Sequence, residues 1–491
     1  MSGNRCWGSP FTDTEITDAK DNGKLLTMEL ELSRICNLKC IYCYAESGSQ
    51  LANELSFDEI VNALDQGVEL GVRKIIVLGG GEPLAYPRIM DVLRAIRERN
   101  LEIELFTNGT LLTQEIVEEL KRLEVNPVIK FNSLRPEIQD HLAGKVGAFE
   151  SIQKGLELLQ KAGYPNDTLS LGAQTVICQP NYDELPTMWR WLRSKDIIPY
   201  FETITEQGRA KQHGDLVVTP SKLQQLFDKL SQIDRDEFGI EWEPKPPVAA
   251  FTCQRHLYSC TVTSLGDIIP CPGVDIPAGN IRQMTIKDII AKSDVFKNLR
   301  NIRETIKGKC KDCDLSNECY GCRGMAYHHT GDYLASDPLC WRNTPVQTMQ
   351  LPLPACKVIP HRDSMLLIDT LVTSMQGQGR AETTRPATCI ASEASSVLTP
   401  LIFVELIAQT YAAVKGWEIA QAGKEFPIGY LVGVQKFEIL KPAHAGDRLV
   451  IDVSTVGEFE GFAIVAGTIL NKDEILATGK IKLWVPQGEG E

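Results

Sequence analysis

The sequence has no excess of positive charge. Its 51 Lys and Arg are outnumbered by 64 Asp and Glu, for a net charge of −13. That argues against a general binder of phosphate backbones, which would carry a basic stripe, so no nucleic-acid partner is expected. An acidic carrier protein would also be repelled unless a local basic patch intervened. A secretion signal is lacking, since Met1–Lys20 has no apolar core. A charge-free run of membrane-spanning length is lacking too. The most apolar stretch, Leu398–Val414, is broken by Glu405 and Gln409. Internal repeats and low-complexity tracts are missing. The expectation is a globular, cytoplasmic chain of several domains, because 491 residues exceed one ordinary core.

What is abundant is cysteine. Fifteen in a long chain without a secretion signal point to metal binding rather than disulfides. Three lie within 36–43 and eight within 253–340. The scattered Cys6, Cys178, Cys356 and Cys389 read as small semi-buried hydrophobes.

From residue 26 to 235, short Ile/Val/Leu/Phe-rich segments alternate with helical patterns. Strands are predicted at 26–33, 74–79, 103–106, 128–133, 169–177 and 197–204. Ser56-Phe57-Asp58-Glu59 forms a capping box before the first helix. Six β–α units imply a parallel sheet curved into a partial (β/α)6 barrel, an α/β fold with ligands at the strands' C-terminal ends. Residues 236–345 are irregular and cysteine-punctuated, 346–354 read as a linker, and 1–25 as an N-terminal segment. Residues 355–491 show one long apolar helix and several alternating segments, an α+β domain with an antiparallel sheet.

Cys36-x-x-x-Cys40-x-x-Cys43 directly follows the first strand. Three thiolates in one loop can ligate three irons of a cubane and leave the fourth open for a chelating cosubstrate. A zinc loop is the alternative, although zinc favours four ligands in paired knuckles. The spacing, with Tyr42 before the third cysteine, resembles the signature of the radical S-adenosylmethionine (SAM) superfamily. The next strand ends in Gly79-Gly80-Gly81-Glu82-Pro83, similar to that family's glycine-rich acidic motif, which receives the amino group of SAM. By the resemblance, Tyr42, Gly80, Gly81, Glu82 and Pro83 would bind the cosubstrate, and Asn132 and Ser133 its ribose. The resemblance implies a 4Fe–4S cluster, SAM, and an electron donor such as flavodoxin or ferredoxin. It also implies reductive cleavage of SAM to a 5′-deoxyadenosyl radical that abstracts hydrogen from a substrate.

The later cysteines are Cys253, Cys260, Cys271, Cys310-x-x-Cys313, Cys319-x-x-Cys322 and Cys340. Eight thiolates suffice for two 4Fe–4S clusters or two structural zincs. Their spacing resembles the SPASM extension of radical SAM enzymes. That pattern implies one auxiliary cluster on Cys253, Cys260, Cys271 and Cys322, and another on Cys310, Cys313, Cys319 and Cys340.

In the last domain, Pro360-His361-Arg362, Met365–Asp369, Val404-Glu405-Leu406-Ile407-Ala408-Gln409 and Lys441–Asp447 form an ordered series. It resembles the hotdog fold of 3-hydroxyacyl-carrier-protein dehydratases, which use a His and a Glu. Glu405 matches the Glu, but Ala391 stands where the His is expected, so half of the acid–base pair is missing. The expectation is a degenerate hotdog that still dimerises and grips an acyl thioester. Three functions stay open: radical chemistry on an acyl chain held by a carrier protein, maturation of a peptide, or a non-catalytic cluster-bearing scaffold.

Overall fold

The computed structural model describes residues 11–343, 351–375, 377–384, 397–421, 429–459 and 461–484. Cys6, Cys389, Ala391 and most of the expected linker lie outside the described residues. The chain divides into two compact units, 1–343 and 344–491.

In the first unit, six strands run in parallel: β1 (Thr27–Ser33), β2 (Lys74–Gly80), β3 (Glu102–Thr107), β4 (Val125–Lys130), β5 (Gly172–Ile177) and β6 (Ile198–Thr203). Beyond β1 the sheet continues through β7 (Ser259–Val262), β8 (Asp267–Ile269) and β9 (Gly279–Asn280), in the order 6-5-4-3-2-1-7-8-9. Every residue of β1 is buried, as a central strand covered on both faces must be. The expected helix starts at Ser56, whose hydroxyl and the Glu59 carboxylate close a reciprocal cap before Phe57–Glu69. Helices Ile89–Glu98 and Leu185–Ser194, absent from the sequence reading, complete the crossovers. β4 begins three residues before its predicted start and runs through Pro127, which pairs with Leu105. A proline ordinarily argues against a central strand, and this moves Asn132 and Ser133 out of the strand into the loop beyond it.

The second unit is a seven-stranded antiparallel sheet: β10 (Leu353–Pro354), β11 (Thr370–Met375), β12 (Gln378–Thr383), β13 (Tyr430–Ile439), β14 (Leu449–Phe459), β15 (Phe462–Asn471) and β16 (Glu474–Trp484). Its order is 10-11-12-14-15-16-13. The helix Leu401–Gln421 packs on it. A Cβ on Gly467 would lie 2.4 Å from Ile407 Cδ1, so glycine is what lets the helix approach the sheet. No described helix is long and apolar enough to cross a membrane.

Candidate functional site

Cys36, Cys40 and Cys43 sit in the loop that leaves β1, each partly buried. The loop is held by its backbone. Cys36 N–H donates to the Gly48 carbonyl at 3.1 Å, Ile41 N–H to Leu142 at 3.1 Å, and Cys43 N–H back to Cys40 at 3.2 Å. Arg209, just beyond β6, spans the loop. Its Nε donates to the Cys40 carbonyl at 2.9 Å, its Nη1 to Ser47 at 3.0 Å, and its backbone N–H to Cys43 at 3.0 Å. Gly208 makes this possible, because a Cβ there would lie 2.3 Å from the Tyr44 carbonyl and its φ is +56°. Sequence reasoning missed this pair, whose only signal is its place after the sixth strand. Burial pushes the Cys40 thiol up to about 11. A bound metal reverses that cost, since a coordinating thiol is deprotonated.

Gly81 and Glu82 lock the next loop against the first. A Cβ on Gly81 would stand 2.0 Å from the Ile35 carbonyl, and Glu82 N–H donates to that carbonyl at 2.7 Å. The Glu82 carboxylate is buried. Its Oε1 accepts from Leu84 N–H at 3.0 Å and from the Thr107 hydroxyl at 2.5 Å, and its Oε2 from Asn108 N–H at 2.7 Å. Burial nevertheless pushes it up to about 6, against the pull of those donors. Asn108 in turn donates to Asn37 at 2.9 Å, tying the end of β3 to the cysteine loop.

Tyr42 lines the cavity described below, and its hydroxyl accepts from Asn132 Nδ2 at 2.7 Å. Asn132 and Ser133 do not line it. Both are fully buried. Asn132 Oδ1 accepts from Val176 N–H at 2.9 Å, and the Ser133 hydroxyl donates to Glu184 at 2.5 Å. Their side chains hold the protein's own loops together and set the position of Tyr42.

A cavity of about 320 Å³ runs from Cys36, Cys40 and Cys43 to Cys253, Cys271 and Cys322. Its walls carry Glu29, ion-paired to Arg255 at 2.8 Å, and Lys130, 3.9 Å from Glu202. A second cavity of about 20 Å³ is lined by Cys310, Cys313, Cys319 and Cys340. The eight later cysteines therefore fall into a trio, a quartet and Cys260, which stands apart in the core, wholly buried. The structure does not bring Cys260 to the trio that sequence spacing assigned it to. Several sulfurs already accept hydrogen bonds: Cys271 from Val274 N–H at 3.3 Å, Cys322 from Met325 N–H at 3.4 Å, Cys319 from Gly321 N–H at 3.3 Å, and Cys310 from Asn343 Nδ2 at 2.8 Å. Such donors suit cluster thiolates, whose potentials depend on them. Asp337 joins the two groups by accepting from Cys322 and Leu339 N–H at 2.7 and 2.9 Å.

In the second unit Glu405 lies on the central helix, 3.8 Å from Nε2 of His361. Gln409 Nε2 donates to Glu405 at 2.9 Å and to the Met365 carbonyl at 2.8 Å, while its Oε1 accepts from Leu367 N–H. Sequence spacing sought the histidine about fourteen residues upstream of Glu405, where Ala391 stands. The fold instead brings one from the segment before β11.

With this geometry in view, comparison with known proteins defines the class. Residues 30–192 match the model of the radical SAM superfamily, 253–314 an iron–sulfur cluster-binding (SPASM) domain, and 353–491 ApeP dehydratase. The AdoMet-dependent heme synthase of Methanosarcina barkeri is 30% identical over 338 residues, 63% of this chain and 94% of that one. The mycofactocin maturase MftC of Mycolicibacterium smegmatis is 26% identical over 325 residues, 63% of this chain and 81% of that one. Streptococcus suis SuiB bound to S-adenosylmethionine shares the fold at a TM-score of 0.52 and 18% identity, covering 67% of this chain and 80% of that one. The chain belongs to the radical SAM superfamily. It carries a SPASM extension and an ApeP-like C-terminal domain, and its cofactors are S-adenosylmethionine and 4Fe–4S clusters.

Proposed function

We propose that this radical SAM enzyme acts on an acyl group borne as a thioester on a carrier protein, with the C-terminal domain as an acyl-handling partner. The observation that carries the reading is the His361–Glu405 pair inside a domain that matches a dehydratase model. When bound, the SAM-binding cluster supplies an electron that cleaves SAM to a 5′-deoxyadenosyl radical, the hydrogen-abstracting species. The chain's own groups do the rest at that site. Arg209 fixes the thiolate loop, Glu82 accepts the SAM ammonium, and the enclosed walls exclude water. Cys36, Cys40 and Cys43 hold that cluster, and the later cysteines hold auxiliary ones. A ferredoxin or flavodoxin serves as electron donor.

In the C-terminal domain, His361 Nε2 takes the C2 proton of a 3-hydroxyacyl thioester. Glu405 gives its proton to the departing C3 hydroxyl, so water leaves and a C2–C3 double bond forms. Gln409 holds the Glu405 carboxyl toward His361.

A second reading, a peptide substrate, is favoured by the cavity's charged walls and by relatives such as MftC and the PqqA peptide cyclase of Granulibacter bethesdensis. Anaerobic reconstitution with SAM and dithionite, followed by assay of 5′-deoxyadenosine, separates the two. Acyl-carrier substrates should raise its yield and candidate peptides should not. The acyl reading fails if only peptides do so and if His361→Ala leaves dehydration of 3-hydroxyacyl thioesters unchanged.

A further inference from the structure

We propose that the Ser47 hydroxyl donates a hydrogen bond to the Cys43 thiolate and thereby raises the reduction potential of the SAM-binding cluster. The proposal rests on the assignment of Cys36, Cys40 and Cys43 to that cluster and not on the acyl reading, so the two can fail separately.

After Cys43 the chain doubles back past Cys36. Gly48 forms a parallel bridge with Ile35. Gly48 N–H donates to the Arg34 carbonyl at 2.8 Å, and Cys36 N–H donates to the Gly48 carbonyl at 3.1 Å. The reversal passes through Glu46, whose φ is +51°. That left-handed conformation is costly for a residue with a side chain, and such strain gathers at functional sites. The Glu46 side chain is exposed, so it is not the group that the turn delivers. Ser47, the next residue, is 5% exposed and lines the same cavity as Cys36 and Cys43. Arg209 Nη1 fixes it there by donating to its carbonyl at 3.0 Å.

Ser47 Oγ is hydrogen-bonded to Cys43 Sγ at 3.3 Å. A ligating cysteine carries no proton, so in that state the hydroxyl is the donor and the sulfur the acceptor. The same hydroxyl reaches Cys36. Burial pushes that thiol up, and Ser47 is one of the hydrogen-bond donors that hold it down. One hydroxyl therefore serves the first and the last cysteine of the triplet. A cluster gains negative charge when it is reduced, and a donor to its thiolate stabilises that charge, so the potential rises. A raised potential eases loading of the cluster by a ferredoxin or flavodoxin.

The test is a potentiometric titration of the reconstituted full chain without SAM, read by electron paramagnetic resonance. The signal followed is the one that disappears when Cys36→Ala, Cys40→Ala and Cys43→Ala are combined. If that triple variant keeps every cluster signal, the ligand assignment falls and the proposal with it. Ser47→Ala should keep iron at about twelve per chain. It should lower the equilibrium constant for reduction about tenfold, which is ~59 mV for one electron. Ser47→Thr, which keeps the hydroxyl, should hold the wild-type potential. Equal potentials in the wild-type and Ser47→Ala proteins would overturn the proposal, as would an equal drop in Ser47→Thr at full iron. If Ser47→Ala does not load the cluster, the wild-type chain built with β-deuterated serine decides by electron–nuclear double resonance. A deuteron coupling at the same signal supports the placement of Ser47, and its absence overturns it.

Discussion

At the residue scale, Glu82 carries the sharpest expectation. Three donors reach its carboxylate, and a carboxylate offers about four lone-pair sites, so one remains for an ammonium. Burial raises the group from its usual 4.5 to about 6. The sign follows directly: its contribution to folding stability is fully present below 4.5 and is lost as pH rises through about 6. Its charge runs the other way, so SAM affinity should fall as pH drops through that value. Glu82→Gln should weaken SAM binding by about 1.5–3 kcal/mol, a charge-assisted hydrogen bond, and flatten the pH dependence. Equilibrium dialysis with labelled SAM between pH 5 and 8 reads both, and a variant with unchanged affinity and the same pH profile would remove Glu82 from the site. The candidate residues at this site could be named from the sequence because their short motifs carry the radical SAM resemblance. His361 was legible as a residue but not as Glu405's partner, because 44 positions of chain separate them.

At the scale of elements, the site is a clamp between two strand-end loops. Gly81 presses on the Ile35 carbonyl with no room for a methyl group, and backbone cannot give way as a side chain tip can. Gly81→Ala should therefore part the two loops. Reconstituted iron should fall by about four per chain and SAM binding should be lost, while the auxiliary cluster signals persist. Iron analysis with electron paramagnetic resonance checks this, and retention of full iron would refute the clamp. The six strands could be read from their apolar runs and the turn residues between them. The predicted strand 128–133 begins just after Pro127, a residue that locally disfavours a strand, whereas β3 pairs with β4 from Ile103↔Val125 to Thr107↔Ile129. Tertiary pairing overrode local preference there, and it carried Asn132 and Ser133 from a ligand-facing expectation into the protein's own hydrogen bonds.

At the scale of the whole molecule, β13 is, among the described residues, an edge strand whose Tyr430, Val432 and Val434 are about half exposed. Soluble proteins seldom leave such an edge uncovered. Pairing of this edge with a second copy would make the chain a dimer, and Val434→Lys should convert it to a monomer by light scattering without loss of cluster iron. A variant that keeps the dimer would exclude this edge as the contact.

The sequence by itself determined that a parallel α/β unit precedes an antiparallel one, and its short motifs carry the resemblance to the radical SAM family that implies iron–sulfur clusters and SAM. Periodicity and short motifs are local properties of the chain. Only the tertiary structure decided which cysteines share a cavity, that Arg209 holds the loop of Cys40 and Cys43, and that His361 meets Glu405. Each of these depends on which face of a strand or helix a side chain leaves from, and that face is set by pairing register across the sheet rather than by neighbours along the chain.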